Sequence, residues 1–161
     1  MLEAIVAVNA DWGIGAAGTQ NVVLPPDRKQ FAAVTMGAAV IVGRKTLADF
    51  PGGRPLKGRH NIVVTRQKVE IEGAQVAHTT EEALALAGAY DRAVVIGGES
   101  VYRQFFPYTD RVYVTRIDAS PPSDVFFPNL DRDAAWRCAD AGEPLHWEGI
   151  SYRFCVYERV R

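Results

Sequence analysis

The chain has 161 residues, of which 48% are hydrophobic, and its formal net charge at pH 7 is −1. A chain of this length fits one domain and can bury a sufficient core without metal ions or disulfide bonds. The nearly neutral charge provides no basic surface field, so neither nucleic acid nor an anionic membrane is expected as a partner.

The N-terminal segment and the cysteines together indicate a cytoplasmic protein. The first apolar run contains Glu3, lacks a basic segment and stops near Val8, which is typical of a buried strand and not of a signal peptide or membrane span. Cys138 and Cys155 form no CxxC pattern, which predicts free core thiols in a reducing compartment. The three histidines show no ligand spacing, so no metal site is expected.

Strand-like and helix-like segments alternate along the chain, which predicts an α/β fold with helices on both faces of one sheet. Eight strands are predicted, at 2–8, 39–42, 61–65, 75–78, 93–96, 111–117, 134–139 and 152–158. Four helices are predicted, at 25–35, 44–50, 80–89 and 100–106. The early strands are continuous apolar runs and the last ones alternate, so we expect a mixed sheet, mostly parallel with an antiparallel C-terminal edge.

Local signals support two of these helices and set one loop apart. Thr79 is followed three residues later by Glu82, the pattern of a capping box. Pro25 and Pro26 suit the first turn of a helix, where a missing N–H costs little. The irregular segment 9–24 is too long for a simple connection. Loops of that length usually cover or bind ligands, so we expect a functional loop there.

Asp27 is the first candidate for chemistry. It lies four residues before Phe31 and eight before Thr35, so the three side chains share one stripe of the predicted helix. An acidic residue in a first helical turn is also favoured by the helix dipole alone. Asp27 is therefore either a stabilising first-turn residue or a carboxylate that grips a polar ligand in an apolar pocket.

The end of the second predicted strand suits an anion. Gly43 ends the strand, and the next helix opens with the two cations Arg44 and Lys45, followed by Thr46. Cations at a helix N-terminus oppose the dipole. Either a bound anion compensates, held by free backbone N–H groups and these side chains, or the segment is a solvated basic turn.

Two further strand ends repeat this chemistry. Thr65 and Arg66 follow a strand at the place where an Arg accommodates the 2′-phosphate of NADP, although a surface Arg is also common there. Gly97 and Gly98 follow another strand and precede a helix, which permits close backbone approach to a ligand or forms a plain tight turn. Ligands of open α/β sheets bind outside the carboxyl ends of strands, so the three strand ends are expected to share one ligand.

Taken in order, the segments of this chain resemble those of dihydrofolate reductases over nearly its whole length. The matching segments are IVAVNADWGIG, LPPDRKQF, TMGAAVIVGRKTLADFPGGRPLKGRHNIVVTR, VVIGGESVYRQFFP, VYVTRID, SDVFFPNL and SYRFCVYER. The resemblance implies NADPH-dependent reduction of 7,8-dihydrofolate to 5,6,7,8-tetrahydrofolate, with hydride transfer to C6 and protonation of N5. It also implies a monomer that binds antifolate inhibitors, with one domain over 1–161 and an adenosine-binding subdomain at roughly 38–90.

The resemblance also assigns the substrate-side residues. Asp27 would pair with N3 and the 2-amino group of the pterin as the catalytic acid, with Thr115 hydrogen-bonded to its carboxylate. Arg59 would bind the α-carboxylate of the glutamate tail, a natural fork-to-carboxylate pair. The apolar walls would be formed by Ile5, Ala7, Phe31, Phe50, Leu56 and Ile96.

On the cofactor side, the resemblance implies a site for NADPH along the strand ends. Its residues would be Ala7, Ile14, Gly15, Gly43, Arg44, Lys45, Thr46, Thr65, Arg66, Ile96, Gly97, Gly98, Ser100, Val101 and Tyr102. Segment 15–20 falls in the mobile active-site loop of the family, and Asp124 would brace that loop in its closed form. The peptide between Gly97 and Gly98 is expected to be cis.

The sequence departs from the family pattern at two positions and leaves two rival functions. Many members have Trp where this chain has Val22 and Met where it has Gln20, which affects the loop and the contacts of inhibitors but not the transfer of the hydride.

One rival function is that of another NADPH reductase of the same fold, such as the pyrimidine reductase of riboflavin synthesis. Asp27 and Arg59 suit a pterin and a carboxylate tail better than a sugar phosphate. The other rival is a non-catalytic pterin- or nucleotide-binding protein.

Overall fold

The computed structural model describes residues 1–17 and 20–160, so Gly18 and Thr19 of the predicted loop lie outside it. The strands are β1 (Leu2–Val8), β2 (Gly13–Gly15), β3 (Ala39–Gly43), β4 (His60–Val64), β5 (Ala74–Ala77), β6 (Ala93–Gly97), β7 (Thr109–Ile117), β8 (Val125–Phe126), β9 (Trp136–Asp140), β10 (Leu145–Trp147) and β11 (Ile150–Arg159). The α-helices are α1 (Pro25–Thr35), α2 (Arg44–Ala48), α3 (Thr80–Ala87) and α4 (Glu99–Phe105).

The main sheet confirms the predicted mixed topology. Its strands follow the order β10-β11-β7-β1-β6-β3-β4-β5, and β9 also pairs with β11. The six strands from β7 to β5 are parallel to one another, whereas β11 is antiparallel to β7 and both β9 and β10 are antiparallel to β11. All eight predicted strands are present. The short strand β10 joins them at the antiparallel edge, and β2 pairs with β8 in a separate ribbon.

The helices cover both faces of the sheet, as predicted. Phe31 of α1 and Leu47 of α2 pack with Ile5 of β1 on one face. Ala83 of α3 and Phe105 of α4 belong to the core on the other face, together with neighbouring residues of the same strand β1. This division follows from the two-residue period of a strand, whose successive side chains point to opposite faces.

Helix boundaries follow the local signals. Helix α1 begins at Pro25, and α3 begins after Thr79, whose hydroxyl accepts the Glu82 N–H at 3.1 Å. Helix α2 ends at Ala48, two residues earlier than predicted, because Phe50 precedes a proline and is extended (ψ 158°). Among the described residues, no helix is long and apolar enough to cross a membrane.

The cysteines match the prediction only in part. Both are free. Cys155 is buried in β11, and burial is the main reason that the pKa of its thiol rises to about 11. Cys138 is exposed, so its prediction as a core thiol is wrong: strand β9 pairs with β11, and its residues after Trp136 face solvent.

Candidate active site

Asp27 and Thr115 meet across the sheet face that α1 covers. Asp27 lies in the first turn of α1, and Thr115 lies on β7 directly beside Ala7 of β1. The Thr115 hydroxyl, which is 3% exposed, donates a hydrogen bond to Asp27 Oδ1 at 2.5 Å. Burial raises the pKa of Asp27, and the hydrogen bond from Thr115 and the charge of Arg28 offset only part of that rise. This carboxyl therefore keeps its proton to a higher pH than an ordinary one.

The predicted wall residues lie in two apolar clusters. Ala7 lies in a cluster with Leu24. The other five pack in one cluster, where Ile5 and Ile96 are buried and the others are half-buried: Ile5, Phe31, Phe50, Leu56 and Ile96. Phe31 follows Asp27 by one helical turn of α1, and the half-buried members of its cluster leave part of their apolar surface open to a ligand.

Arg59 is a half-buried cation three residues after Leu56 of this apolar cluster. Its Nε donates to the hydroxyl of Thr35 at 3.2 Å, and its Nη1 donates to the carbonyl of Lys57 at 2.8 Å. The Thr35 hydroxyl in turn donates to the Phe31 carbonyl at 2.7 Å, which ties the guanidinium to α1. Partial burial lowers the pKa of Arg59, but a guanidinium stays charged at any physiological pH. Arg59 is thus a fixed cation suited to a carboxylate.

Asn61, which was not predicted as a site residue, organises the segment between Leu56 and Arg59 with its side chain. Asn61 is 4% exposed; its Nδ2 donates to the carbonyls of Leu56 at 2.9 Å and of Arg59 at 3.2 Å. Its Oδ1 accepts the Leu56 N–H at 3.0 Å. The available signal was a polar residue directly before the apolar run 62–64 of β4, since a buried amide needs hydrogen-bond partners.

The carboxyl ends of β3 and β6 come together without room for side chains. A Cβ on Gly43 would lie 3.0 Å from Cγ2 of Val101, and one on Gly98 would lie 2.9 Å from Oγ1 of Thr46. Gly97 has φ +126°, a conformation that other residues rarely adopt, and the Gly97–Gly98 peptide is cis, as predicted. This edge therefore offers main-chain atoms, and not side chains, to a ligand.

Tyr102 of α4 connects this edge to the interior of the site. Its hydroxyl, on a side chain that is 8% exposed, donates to the Ile5 carbonyl at 2.7 Å. Burial raises the pKa of Tyr102 above its usual range, and the negative charge of Asp27 raises it further. The phenol therefore stays protonated and links β1 to α4.

Exposed cations flank the glycines. Arg44, Lys45 and Arg66 are all exposed. Arg44 Nη1 donates to Oε1 of Gln67 at 2.6 Å, which joins the end of β3 to the end of β4 while leaving its charge uncancelled. Three of the remaining predicted cofactor residues follow strands of this edge: Thr65 after β4, and Ser100 and Val101 in α4, which follows β6. Ile14 and Gly15 lie in β2, which pairs with β8 in a separate ribbon. Free cations beside accessible backbone fit a phosphorylated dinucleotide.

Asp124 contacts the loop that it was predicted to brace. Its Oδ2 accepts the Ala17 N–H at 3.0 Å, and its own N–H donates to the Gly15 carbonyl at 3.0 Å. A second brace was missed: Asn9 Nδ2 donates to Oδ1 of Asn21 at 2.9 Å, at the other end of the loop. The loop is therefore held at both described ends.

Val22, the first departure from the family pattern, is half-buried. It packs against the cluster formed by Leu24, Ile117 and Tyr152. Gln20, the second departure from the family pattern, is exposed.

The sequence of this chain matches a known family along nearly its whole length. The sequence model of the family described as dihydrofolate reductase matches residues 1–159. The dihydrofolate reductase of Neisseria meningitidis serogroup A is 39% identical over 148 residues, which cover 91% of this chain and 90% of that protein. The dihydrofolate reductase of Bacillus subtilis is 33% identical over 162 residues and covers 99% of this chain and 95% of that protein.

The fold matches a solved structure equally well. Dihydrofolate reductase from Enterococcus faecalis, complexed with NADP(H) and RAB-propyl, superposes with a TM-score of 0.89 at 32% identity and covers 100% of this chain and 97% of that one. The sheet and its strand-end site define the class, a small α/β oxidoreductase of the kind that uses NADP. Within that class, the chain belongs to the dihydrofolate reductase family.

Proposed function

We propose that this protein reduces 7,8-dihydrofolate to 5,6,7,8-tetrahydrofolate with NADPH. The observation that carries the proposal is the hydrogen-bonded pair of Asp27 and Thr115, which lies on the sheet where an apolar cluster extends to Ile96, the residue before Gly97 and Gly98. When bound, NADPH supplies the hydride that C6 of the pterin accepts, while N5 gains a proton. The protein contributes orientation and electrostatics to that chemistry.

Asp27 is the acid-base centre of the proposal. Its carboxyl receives N3 and the 2-amino group of the pterin, and Thr115 holds it in one orientation. Burial raises the pKa of Asp27, so this carboxyl keeps its proton to a higher pH than an exposed one. In this proposal Asp27 favours the protonatable form of the pterin, and the proton itself reaches N5 through water.

The apolar walls and Arg59 bind the remainder of the substrate. The half-buried side chains of Phe31 and Leu56 pack on the aminobenzoyl group, and Arg59 meets the α-carboxylate of the tail with charge-assisted hydrogen bonds. Ile5, Ala7, Phe50 and Ile96 complete the pocket and exclude water from the pterin.

The cofactor would lie along the strand ends. Backbone N–H groups after Gly97 and Gly98 would hold the pyrophosphate, and Arg44 with Arg66 would bind the 2′-phosphate. Strands β3, β4 and β5 form one end of the sheet, and we assign region 38–90 as the adenosine-binding part of a single domain. We also propose that the protein acts as a monomer in the cytoplasm, and that antifolates bind at Asp27.

The test is to follow NADPH oxidation with and without dihydrofolate. We expect oxidation only when dihydrofolate is present, with tetrahydrofolate as the product. Oxidation that requires a pyrimidine sugar phosphate instead would support the riboflavin-pathway reductase. Tight binding of dihydrofolate without turnover would support a non-catalytic binding protein. Either result would overturn the proposal.

A further inference from the structure

Residues 56–59, here called the tail loop, are held by the side chain of one residue outside the loop. Asn61 accepts the Leu56 N–H and donates to the carbonyls of Leu56 and Arg59, so its single amide group contacts both ends of the loop. The residues between those ends, Lys57 and Gly58, are exposed. Leu56 and Arg59, at the two ends of the loop, are the residues that the proposed function assigns to the substrate tail.

The backbone of the tail loop has few other constraints. The Gly58 carbonyl accepts the Gly37 N–H at 2.8 Å, and Gly58 itself has φ +76°. Arg59 folds back onto the carbonyl of Lys57 within the same loop. Without the Asn61 amide, one N–H of Leu56 and the two carbonyls would lose the partners that they have at this buried position. The positions of Leu56 and Arg59 therefore depend on Asn61.

We propose that Asn61 is a positioning residue that makes the site selective for pterins carrying an aminobenzoyl tail with a carboxylate. This inference rests on the proposed function and names the residue that sets this selectivity. Asn61 acts through Leu56 and Arg59 and touches neither the pterin nor the reacting atoms. Thr35 fixes the Nε of Arg59 from the α1 side, so Asn61 and Thr35 fix the arginine from two directions.

The chemistry of the asparagine side chain explains why this residue type is needed. An amide combines one acceptor with two N–H donors on a short planar group. Aspartate at the same position would keep the acceptor for the Leu56 N–H but would turn its second oxygen toward the two carbonyls. Alanine would keep neither function.

The experiment compares two substrates in Asn61→Ala and in wild type. One substrate is dihydrofolate, and the other is a 7,8-dihydropterin with only a methyl group at C6. We expect the KM for dihydrofolate to rise about tenfold, because a displaced Arg59 loses part of a charge-assisted hydrogen bond. The KM for the small dihydropterin should change less than about twofold, and kcat should stay nearly constant on both substrates.

Matched controls separate positioning from general damage. Asn129→Ala removes another asparagine side chain that braces a turn, by accepting the Asp131 N–H at 3.0 Å in the turn before β9, and should change neither KM. Arg59→Ala should raise the KM for dihydrofolate to a similar or greater extent. The double variant Asn61→Ala/Arg59→Ala should then be less affected than the sum of the two, because both act on one contact.

The proposal would be overturned if Asn61→Ala raised the KM for both substrates equally. It would also be overturned if the effects of Asn61→Ala and Arg59→Ala on the KM for dihydrofolate were additive. If Asn61→Ala folds poorly, Asn61→Asp provides the same comparison, since it keeps the Leu56 contact and loses both donors. Direct binding of folate and of a tail-free pterin keeps the test separate from the proposed function. A wild type that reduces neither substrate would refute that function, whereas a selective loss of folate binding would still support the role of Asn61.

Discussion

In the proposed site, the end assigned to the pterin and the end assigned to the cofactor use opposite kinds of electrostatics. At the pterin end, Asp27 lies among apolar side chains, and burial raises its pKa. At the cofactor end, Arg44, Lys45 and Arg66 are exposed to solvent. A buried charge interacts strongly and is little screened, whereas exposed charges are weakened by water and salt. The pterin end is therefore suited to proton chemistry, whereas the cofactor end is suited to attracting and selecting a negatively charged ligand.

The largest effect is expected at the buried end, from Asp27→Asn. This change keeps the shape of the side chain and removes the acid. General acid–base catalysis typically contributes about 10²–10⁴-fold, so kcat at neutral pH should fall by that order. Steady-state kinetics at pH 7 measures it. Nearly normal turnover would show that the carboxyl is not the acid, and the contrast between the two ends would fail.

Asp27→Asn also tests the comparison through the pH dependence of the free energy of unfolding. Because burial raises the pKa of Asp27 above its ordinary value of 3.8, the folded chain binds this proton more tightly than the unfolded chain. The contribution of that proton to the free energy of unfolding is complete below the pKa that Asp27 has in the unfolded chain. This contribution is lost as the pH rises through the pKa of Asp27 in the folded chain. Denaturant unfolding across this range should show wild type losing stability relative to Asp27→Asn as the pH rises. A constant difference would contradict the shift.

A smaller effect is expected from Thr115→Val, which keeps the volume and removes the hydroxyl. The hydrogen bond from Thr115 lowers the pKa of Asp27, so its loss should move the pKa still higher. We expect kcat/KM to fall about tenfold, since hydrogen bonds to charged groups contribute about 1.5–3 kcal/mol. The pH profile of kcat/KM should also shift upward. A fall in rate without that shift would assign Thr115 to packing alone.

At the exposed end, Arg66→Ala should have a more modest effect. Exposed ion pairs are typically worth about 0.2–1 kcal/mol, so the KM for NADPH should rise up to about fivefold while that for NADH stays constant. Added salt should shrink this difference, whereas the Asp27→Asn effect should persist. Lys68→Ala, another exposed cation, is the control. Equal effects of Arg66→Ala on both cofactors would place Arg66 outside the 2′-phosphate site.

The smallest effect is expected from Val22→Trp. Val22 is half-buried against Leu24, Ile117 and Tyr152, and because valine is smaller than tryptophan we expect a wider mouth to the pocket here. An indole would fill that mouth and offer one N–H donor. The affinity of diaminopyrimidine inhibitors should rise about two- to threefold by added apolar contact, with no change in dihydrofolate turnover. Weaker binding together with a lower melting temperature would show that the space is already closed.

Features with strong local signals could be predicted from the sequence. Proline at the start of α1 and threonine before α3 define those helices, and continuous apolar runs define the parallel strands. The three-residue strand β10 was missed because so short a segment has no readable period. Cys138 was misplaced because hydrophobic character alone does not tell which strands lie at an edge.

For the site, the sequence could supply residue types but not their distances. The stripe of Asp27 and Thr35 was readable from helical spacing. The contact between Asp27 and Thr115 was implied only by the family resemblance, because it depends on how β7 pairs beneath α1 and no local pattern shows that. Asn61 was missed for the same reason, since its partners at the tail loop become visible only in three dimensions.

The crowded glycine edge limits how this protein could evolve under drug selection. At Gly43 a single added methyl group would press on Val101, and at Gly97 the backbone conformation itself disfavours any side chain. The half-buried wall formed by Phe31, Phe50 and Leu56 tolerates changes of similar volume far better. We therefore expect resistance substitutions to accumulate along that wall. An inhibitor that reaches the glycine edge would contact positions where added side chains are disfavoured, so we expect fewer resistance substitutions there.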